Sequence, residues 1–256
     1  MRPIDVSTRV WTRLLDLRTE GGSEGAPEWT EAEKAAFDLY APLASRNGGY
    51  VTVAQIGQSL DGRIATVTGD ARDVSGPDGL AHLHRMRALV DAVVIGVRTA
   101  LHDLPRMTVR LCEGPNPARV VIDPKGRLPD DAPLLQSQEV RRIVVQAVDR
   151  PRPNGVEVIR LPDQNGALCA RAILAALHDA NLQTIMVEGG GITIANFLDA
   201  GLLERLHVAI APLLIGGGPQ SLTLPNPVRR LSDAMRPDAQ IYGLGSDIVF
   251  DCDLRA

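Results

Sequence analysis

The chain has 256 residues, 45% hydrophobic and 23% charged, with 27 Lys plus Arg against 31 Asp plus Glu and a formal net charge of −4. Nonspecific nucleic-acid binding depends on a clustered basic surface, and a nearly balanced chain offers no obvious one, so charge points to no polyanionic partner. No apolar run reaches the length of a membrane span, and charges spread through Met1–Asp16 leave no signal-peptide core, so the expectation is a cytoplasmic protein without nucleic-acid or membrane partners. Cys112, Cys169 and Cys252 are odd in number and far apart, which fits reduced thiols rather than a disulfide or zinc framework. With only 3% aromatic residues, the core has to be aliphatic.

In chain order, Ser7 can cap a helix that places Val10, Trp11, Leu14 and Leu15 on one face and stops at Gly21-Gly22, ahead of a loop at Gly21–Gly25. Thr30 and Glu33 have capping-box spacing, and a second amphipathic helix through Ala35, Ala36, Leu39 and Tyr40 is expected to break from Pro42 to Gly49. Residues 1–48 are therefore read as an N-terminal helical extension and 49–256 as the main domain. From Tyr50 onward, strand-like runs at Tyr50–Ile56, Asp91–Val97, Arg119–Asp123, Arg142–Val148, Val156–Leu161 and Gln183–Val187 alternate with helical runs. The helices are Pro77–Leu89, capped by Ser75, then Ala167–Asp179 and Ile192–Ala200. Such alternation predicts an α/β fold, a mixed, mostly parallel sheet with helices on both faces. The last strands, Arg205–Pro212, Gln240–Leu244 and Ser246–Leu254, have no helical crossovers between them and are expected to run antiparallel.

The most informative stretch is Thr184–Asn196, where an apolar strand runs into Glu188, then Gly189, Gly190 and Gly191, then a helix with Ile192, Phe197 and Leu198 facing inward. Glycines at a strand-to-helix turn let backbone N–H groups approach an anion, and the helix dipole favours phosphate there. The spacing is neither the dinucleotide fingerprint nor the P-loop, which has a Lys after its glycines. A bare tight turn is the competing reading, against which Glu188 stands where open α/β sheets bind ligands. Two further turns, Ile215–Pro219 and Gln58–Ala65, read by themselves as a surface turn and a hairpin.

Five ordered segments then resemble one family: Ser59–Ala65, Ala92–Thr99 leading into Asp103–Arg110, Pro117–Asp123, Val187–Gly191 and Ala211–Gly216. Together they are similar to the riboflavin-pathway pyrimidine reductases, the reductase domain of bifunctional deaminase-reductases, which also occurs alone. The resemblance spans about residues 50–254 and implies a dihydrofolate-reductase-like fold. It also implies NADPH as cofactor, a phosphorylated ribosylaminopyrimidine as substrate, its reduction to the ribitylamino compound, and a homodimer. Carried over residue by residue, it implies cofactor contacts at Thr99, Asp103, Gly189, Gly190, Gly191, Ile192 and Thr193. Substrate contacts are implied at Gln55, Arg87, Met107, Arg110 and Glu188, with Arg87 and Arg110 converging on the substrate phosphate, a task suited to guanidinium forks. Asp103 and Glu188 are the implied catalytic residues.

The chain departs from this pattern in four places. Ala71 and Asp73 stand where the family has a Ser-x-Trp element, Leu104 interrupts the Asp-Asp-Pro or Asp-Asn-Pro element at Asp103–Pro105, and Gln55 replaces a Lys of the bifunctional enzymes. The deaminase half, with its C-x-x-C zinc ligands, is absent. His82 and His84 lie two residues apart on a predicted helix, a spacing that puts their rings on different faces, and no metal is expected. Of the remaining histidines, His102 stands out because Asp103 follows it. Two alternatives stay open: a reductase of the same fold acting on a pterin, or a non-catalytic NADPH-binding protein.

Overall fold

The computed structural model describes residues 1–20, 28–45, 49–136, 138–164 and 166–255. The elements are β1 (Arg2–Pro3), α1 (Thr8–Glu20), α2 (Glu31–Ala44), β2 (Val51–Ser59), α3 (Pro77–Leu89), β3 (Ala92–Gly96), α4 (Val97–Asp103) and β4 (Ala118–Ile122). They continue with α5 (Pro133–Gln136), β5 (Arg142–Gln146), β6 (Val156–Arg160), α6 (Ala170–Asp179), β7 (Thr184–Glu188), α7 (Gly191–Asp199), β8 (Arg205–Ala211), β9 (Asp238–Leu244) and β10 (Asp247–Asp253).

The strands form one sheet in the order β1-β9-β10-β8-β2-β7-β3-β4-β5-β6. All neighbours from β8 to β6 are parallel, while β10 runs antiparallel to both β8 and β9. The mixed, mostly parallel sheet and its antiparallel C-terminal end are as the sequence pattern predicts. Helices cover both faces. Val53, Val93, Ile95, Val121 and Met186 pack beneath Val10, Trp11, Leu14, Leu39 and Tyr40 of α1 and α2, while Ala54, Val94, Ile185 and Val187 pack against Ile173 of α6 and Phe197 of α7. Alternate residues of the central strands thus serve opposite cores, which explains their unbroken apolar runs.

Several local expectations are corrected. Helix α2 runs through Pro42 to Ala44: the ring removes one hydrogen bond in the last turn, and burial of Leu39, Tyr40, Leu43 and Ala44 holds that turn in place. Its capping box forms as expected, with Thr30 accepting from the Glu33 amide and Glu33 from the Thr30 amide. The cap of α3 is Gly76 rather than Ser75, because Pro77 occupies the first helical position and Asp247 of β10 accepts the Gly76 N–H at 2.8 Å. Helix α6 starts at Ala170, since Gln164 and Ala167 pair with each other just before it. Ile192 is not packed inward; it is 51% exposed, whereas Phe197 is buried. Helix α4 was not anticipated: its N-cap is Gly96, with no side-chain hydrogen bond to announce it. The expected stop at Gly21-Gly22 and the loop Gly21–Gly25 fall outside the described residues.

Candidate active site

A cavity of about 740 Å³ opens at the carboxyl ends of the parallel strands β2, β3, β4 and β7, the edge at which open α/β sheets bind ligands. Gln55, Thr99, Asp103, Glu188, Gly189, Gly190, Gly191, Ile192 and Thr193 all line it. Residues separated by more than a hundred positions therefore share one space. Arg87, Met107 and Arg110 are not part of that lining.

On one side the wall is backbone. Gly189 and Gly190 have φ of +75° and +68°, and a Cβ on Gly190 would lie 2.8 Å from Thr99 Oγ1. A Cβ on Gly191 would fall 1.9 Å from the Ser221 carbonyl oxygen. These positions accept only glycine, the first two for conformation and the third for close approach. Helix α7 begins at Gly191, and the Thr193 and Ile194 amides of its first turn both donate to the Gly190 carbonyl, at 2.7 and 3.2 Å, which locks the turn to the helix. Helix α4 abuts it: a Cβ on its cap Gly96 would meet Thr193 Oγ1 at 2.6 Å.

Just before the glycines the lining is charged. Glu188, at the end of β7, is gripped by Arg87 from the last turn of α3, with Nε donating to Oε2 at 2.8 Å and Nη2 donating to Oε1. The Arg87 and Glu188 side chains are 7% and 13% exposed, so the two charges depend on each other rather than on water. The third arm of Arg87, Nη1, donates to the Thr108 carbonyl at 3.1 Å. Arg110 reaches the same residue, donating to Thr108 Oγ1. The two arginines thus meet at Thr108, but the Arg87 fork is occupied by Glu188. Burial, together with the Arg87 and Arg106 charges, lowers the Arg110 pKa. His84 of α3 accepts the Arg110 backbone N–H at Nδ1, 2.8 Å away; burial and the charges of Arg87 and Arg110 push its imidazole down to about 4. Met107 lies nearby with φ of +51° and no exposed surface.

Gln55 lines the cavity from β2. It is registered beside Glu188 on β7 and His207 on β8, is 5% exposed, and its amide has no hydrogen-bond partner among the described residues. Asp103 ends α4, with its Oδ1 2.7 Å from His102 Nδ1. Both line the cavity, together with Gly69 and Ala71. His82 and His207 are buried and linked to Tyr40 in a hydrogen-bonded series: Tyr40 Oη lies 2.8 Å from His82 Nδ1, and His82 Nε2 lies 3.3 Å from His207 Nδ1.

The two turns that read as bare loops prove to be clamped together. Asp61 accepts from Ser59 Oγ at 2.5 Å and from the amides of Ile215 and Gly216 at 3.1 and 2.7 Å. These bonds, Ser59 first, hold its carboxyl down at about 2. The clamp brings Gln220, another lining residue, to the cavity.

Residues 50–250 match the RibD C-terminal domain, over three quarters of the chain. The chain belongs to the RibD C-terminal domain family. A 2,5-diamino-6-ribosylamino-4(3H)-pyrimidinone 5′-phosphate reductase of Methanothermobacter thermautotrophicus is 31% identical over 202 residues, covering 75% of this chain and 93% of that protein. The riboflavin biosynthesis protein RibD of Aquifex aeolicus is 30% identical over 226 residues, covering 86% of this chain but 61% of that longer protein. A deaminase/reductase from Thermotoga maritima has the same fold, with a TM-score of 0.70 at 23% identity, over 87% of this chain and 61% of that one.

Within this family frame, α1 and α2 precede the matched residues, and α4 lies wholly within them. Sequence reasoning missed Gly96, Arg98 and Arg127, which also line the cavity. Gly96 ends an apolar strand and was detectable as a strand-to-helix glycine; Arg98 and Arg127 look like any solvated charge until the chain folds.

Proposed function

We propose that this chain reduces a phosphorylated ribosylaminopyrimidine to the ribitylamino compound in riboflavin biosynthesis, using NADPH. The observation that carries the proposal is that the glycine turn after β7 and the Glu188 carboxylate open into one cavity. A nicotinamide dinucleotide suits the first wall: bare amides at Gly189–Gly191 offer donors to its pyrophosphate, in a cradle that any Cβ would fill. Arg98 and Arg127 line the cavity without an ion-pair partner among the described residues, which supports NADPH over NADH through the additional phosphate. When bound, the cofactor supplies hydride.

The remaining tasks fall to the chain. Glu188, fixed by Arg87, offers acceptor oxygens to the N–H groups of a heterocycle, and the unpartnered Gln55 amide can both donate and accept beside it. Opening of the sugar ring requires a proton on the ring oxygen, and we assign Asp103, with His102 at Nδ1, to hold and move it. Arg110 and its cationic neighbours would take the substrate phosphate. In line with the family, the working form is taken to be a cytoplasmic homodimer, to be checked by light scattering. Purified protein mixed with NADPH and the pyrimidine should lose nicotinamide absorbance. No turnover above background would overturn the assignment, and turnover of dihydrofolate alone would redirect it.

A further inference from the structure

The loop between α4 and β4 carries Met107, Thr108 and Arg110, and α3 and the loop itself fasten its first limb. Arg87 donates to the Thr108 carbonyl, His84 accepts the Arg110 N–H, and Asn116 Oδ1 accepts the Val109 N–H at 2.7 Å. The second limb is held from elsewhere. Trp11 of α1 donates its indole N–H to the Glu113 carbonyl at 3.0 Å, across 102 residues of chain. Next to it, Gly114 has φ of +136°, and a Cβ there would lie 2.7 Å from Ala88 Cβ and 3.4 Å from Leu15 Cδ2. The loop backbone is thus pressed onto both α1 and α3.

Trp11 is itself immobilised. It is 8% exposed and stands edge-on to Tyr40 of α2, with centroids 6.2 Å apart and an angle of 83°; Tyr40 in turn reaches His82 of α3. At the far end of α1, Arg18 donates to the Leu89 and Val90 carbonyls at 3.2 Å. The helix therefore grips the end of α3 as well as the loop. All of α1 lies outside the residues that match the family.

We propose that Trp11 is a positioning residue for the substrate: by holding the Glu113 carbonyl it fixes the loop that presents Arg110, so a helix outside the shared family domain sets the affinity for the phosphorylated group. This rests on the reading of Arg110 as a phosphate contact. A loop held at only one limb samples other positions, and apparent affinity falls in proportion to the competent fraction.

Trp11→Phe keeps an aromatic ring at the position and removes the indole N–H donor. Loss of one such bond should raise KM for the phosphorylated pyrimidine roughly three- to tenfold. The kcat and NADPH affinity should stay unchanged, affinity for ribose 5-phosphate should fall by the same factor, and amide exchange at Val109 and Arg110 should speed up. Gly114→Ala, which displaces the same limb from the other side, should give the same signature. A folded Trp11→Phe protein with unchanged KM and ribose 5-phosphate affinity overturns the proposal, as does an equal loss of NADPH affinity. Should the wild-type protein reduce no pyrimidine yet bind ribose 5-phosphate, more weakly in the variant, the functional reading falls and the positioning role stands. If the wild type binds no ribose 5-phosphate, the positioning role falls with it.

Discussion

Along Gly189–Gly191 the cavity is bounded by backbone from which every side chain has been removed, whereas Glu188, the residue before them, meets the cavity as one half of a buried ion pair whose other half, Arg87, stands behind the lining. The first wall has space and amide donors and is damaged by adding an atom. The second is filled by two charges, each of which depends on the other, and is damaged by taking one away. Adjacent residues, Glu188 and Gly189, thus belong to opposite regimes of stability and of ligand binding.

The largest effect is expected where a charge is stranded. Arg87→Met should lower unfolding free energy by about 3–5 kcal/mol in urea denaturation, because it leaves the Glu188 carboxylate buried and unpaired. The double variant Arg87→Met/Glu188→Leu should recover most of that stability while remaining inactive. If the single variant costs less than about 1 kcal/mol, the value of an exposed pair, the second wall is not the closed charge pair described here.

Gly191→Ala tests the first wall. The new methyl meets the Ser221 carbonyl, which is backbone and cannot swing aside, so overpacking of about 1–3 kcal/mol is expected. Cofactor affinity, measured by fluorescence titration, should fall on the order of tenfold or more. Arg87→Met, by contrast, should still bind cofactor if it folds. Equal cofactor loss in both variants would dissolve the contrast.

The charged wall should also respond to pH. His84 has a folded-state pKa of about 4, below its ordinary 6.5, so the unfolded chain takes up a proton first as pH falls. Its contribution to stability is complete above about 6.5 and is lost progressively toward 4. His82 shifts in the same direction through burial and its neighbour His207. Tm should therefore fall between pH 7 and 5, and His84→Gln should flatten that slope; an unchanged slope would remove His84 from the account. The smallest effect concerns Leu104, which closes α4 at φ 44°, ψ 49° with its side chain 54% exposed. An L-residue there pays roughly 1–2 kcal/mol, and Leu104→Asn should return about 1 kcal/mol of it, seen as a higher Tm.

Much of this site was legible because its chemistry is written in contiguous residues. Val187–Gly191 states a strand end, a carboxylate and a glycine turn in one stretch, and the aliphatic runs state a sheet covered on both faces. What could not be read were contacts between distant segments. Arg87 looked like a free phosphate ligand because nothing in its own helix shows that Glu188, 101 residues on, fills its fork. Asp61 and the loop at Gly216 each looked like an idle turn until the fold set them within hydrogen-bond reach of each other. Helix α4 was hidden for a different reason: seven residues behind a glycine carry too little periodicity to register.

The sequence by itself determined the layered α/β arrangement and the antiparallel end, which follow from periodicity and local turn chemistry repeated along the chain, and its five ordered motifs carried the resemblance to the family. Only the tertiary structure decided which charges face each other, that Arg87 is held by Glu188 while Arg110 stays exposed, and that Trp11 reaches the loop beside the site. Pairing of that kind depends on where strand order and helix packing bring side chains together in space, and one-dimensional spacing carries no record of it.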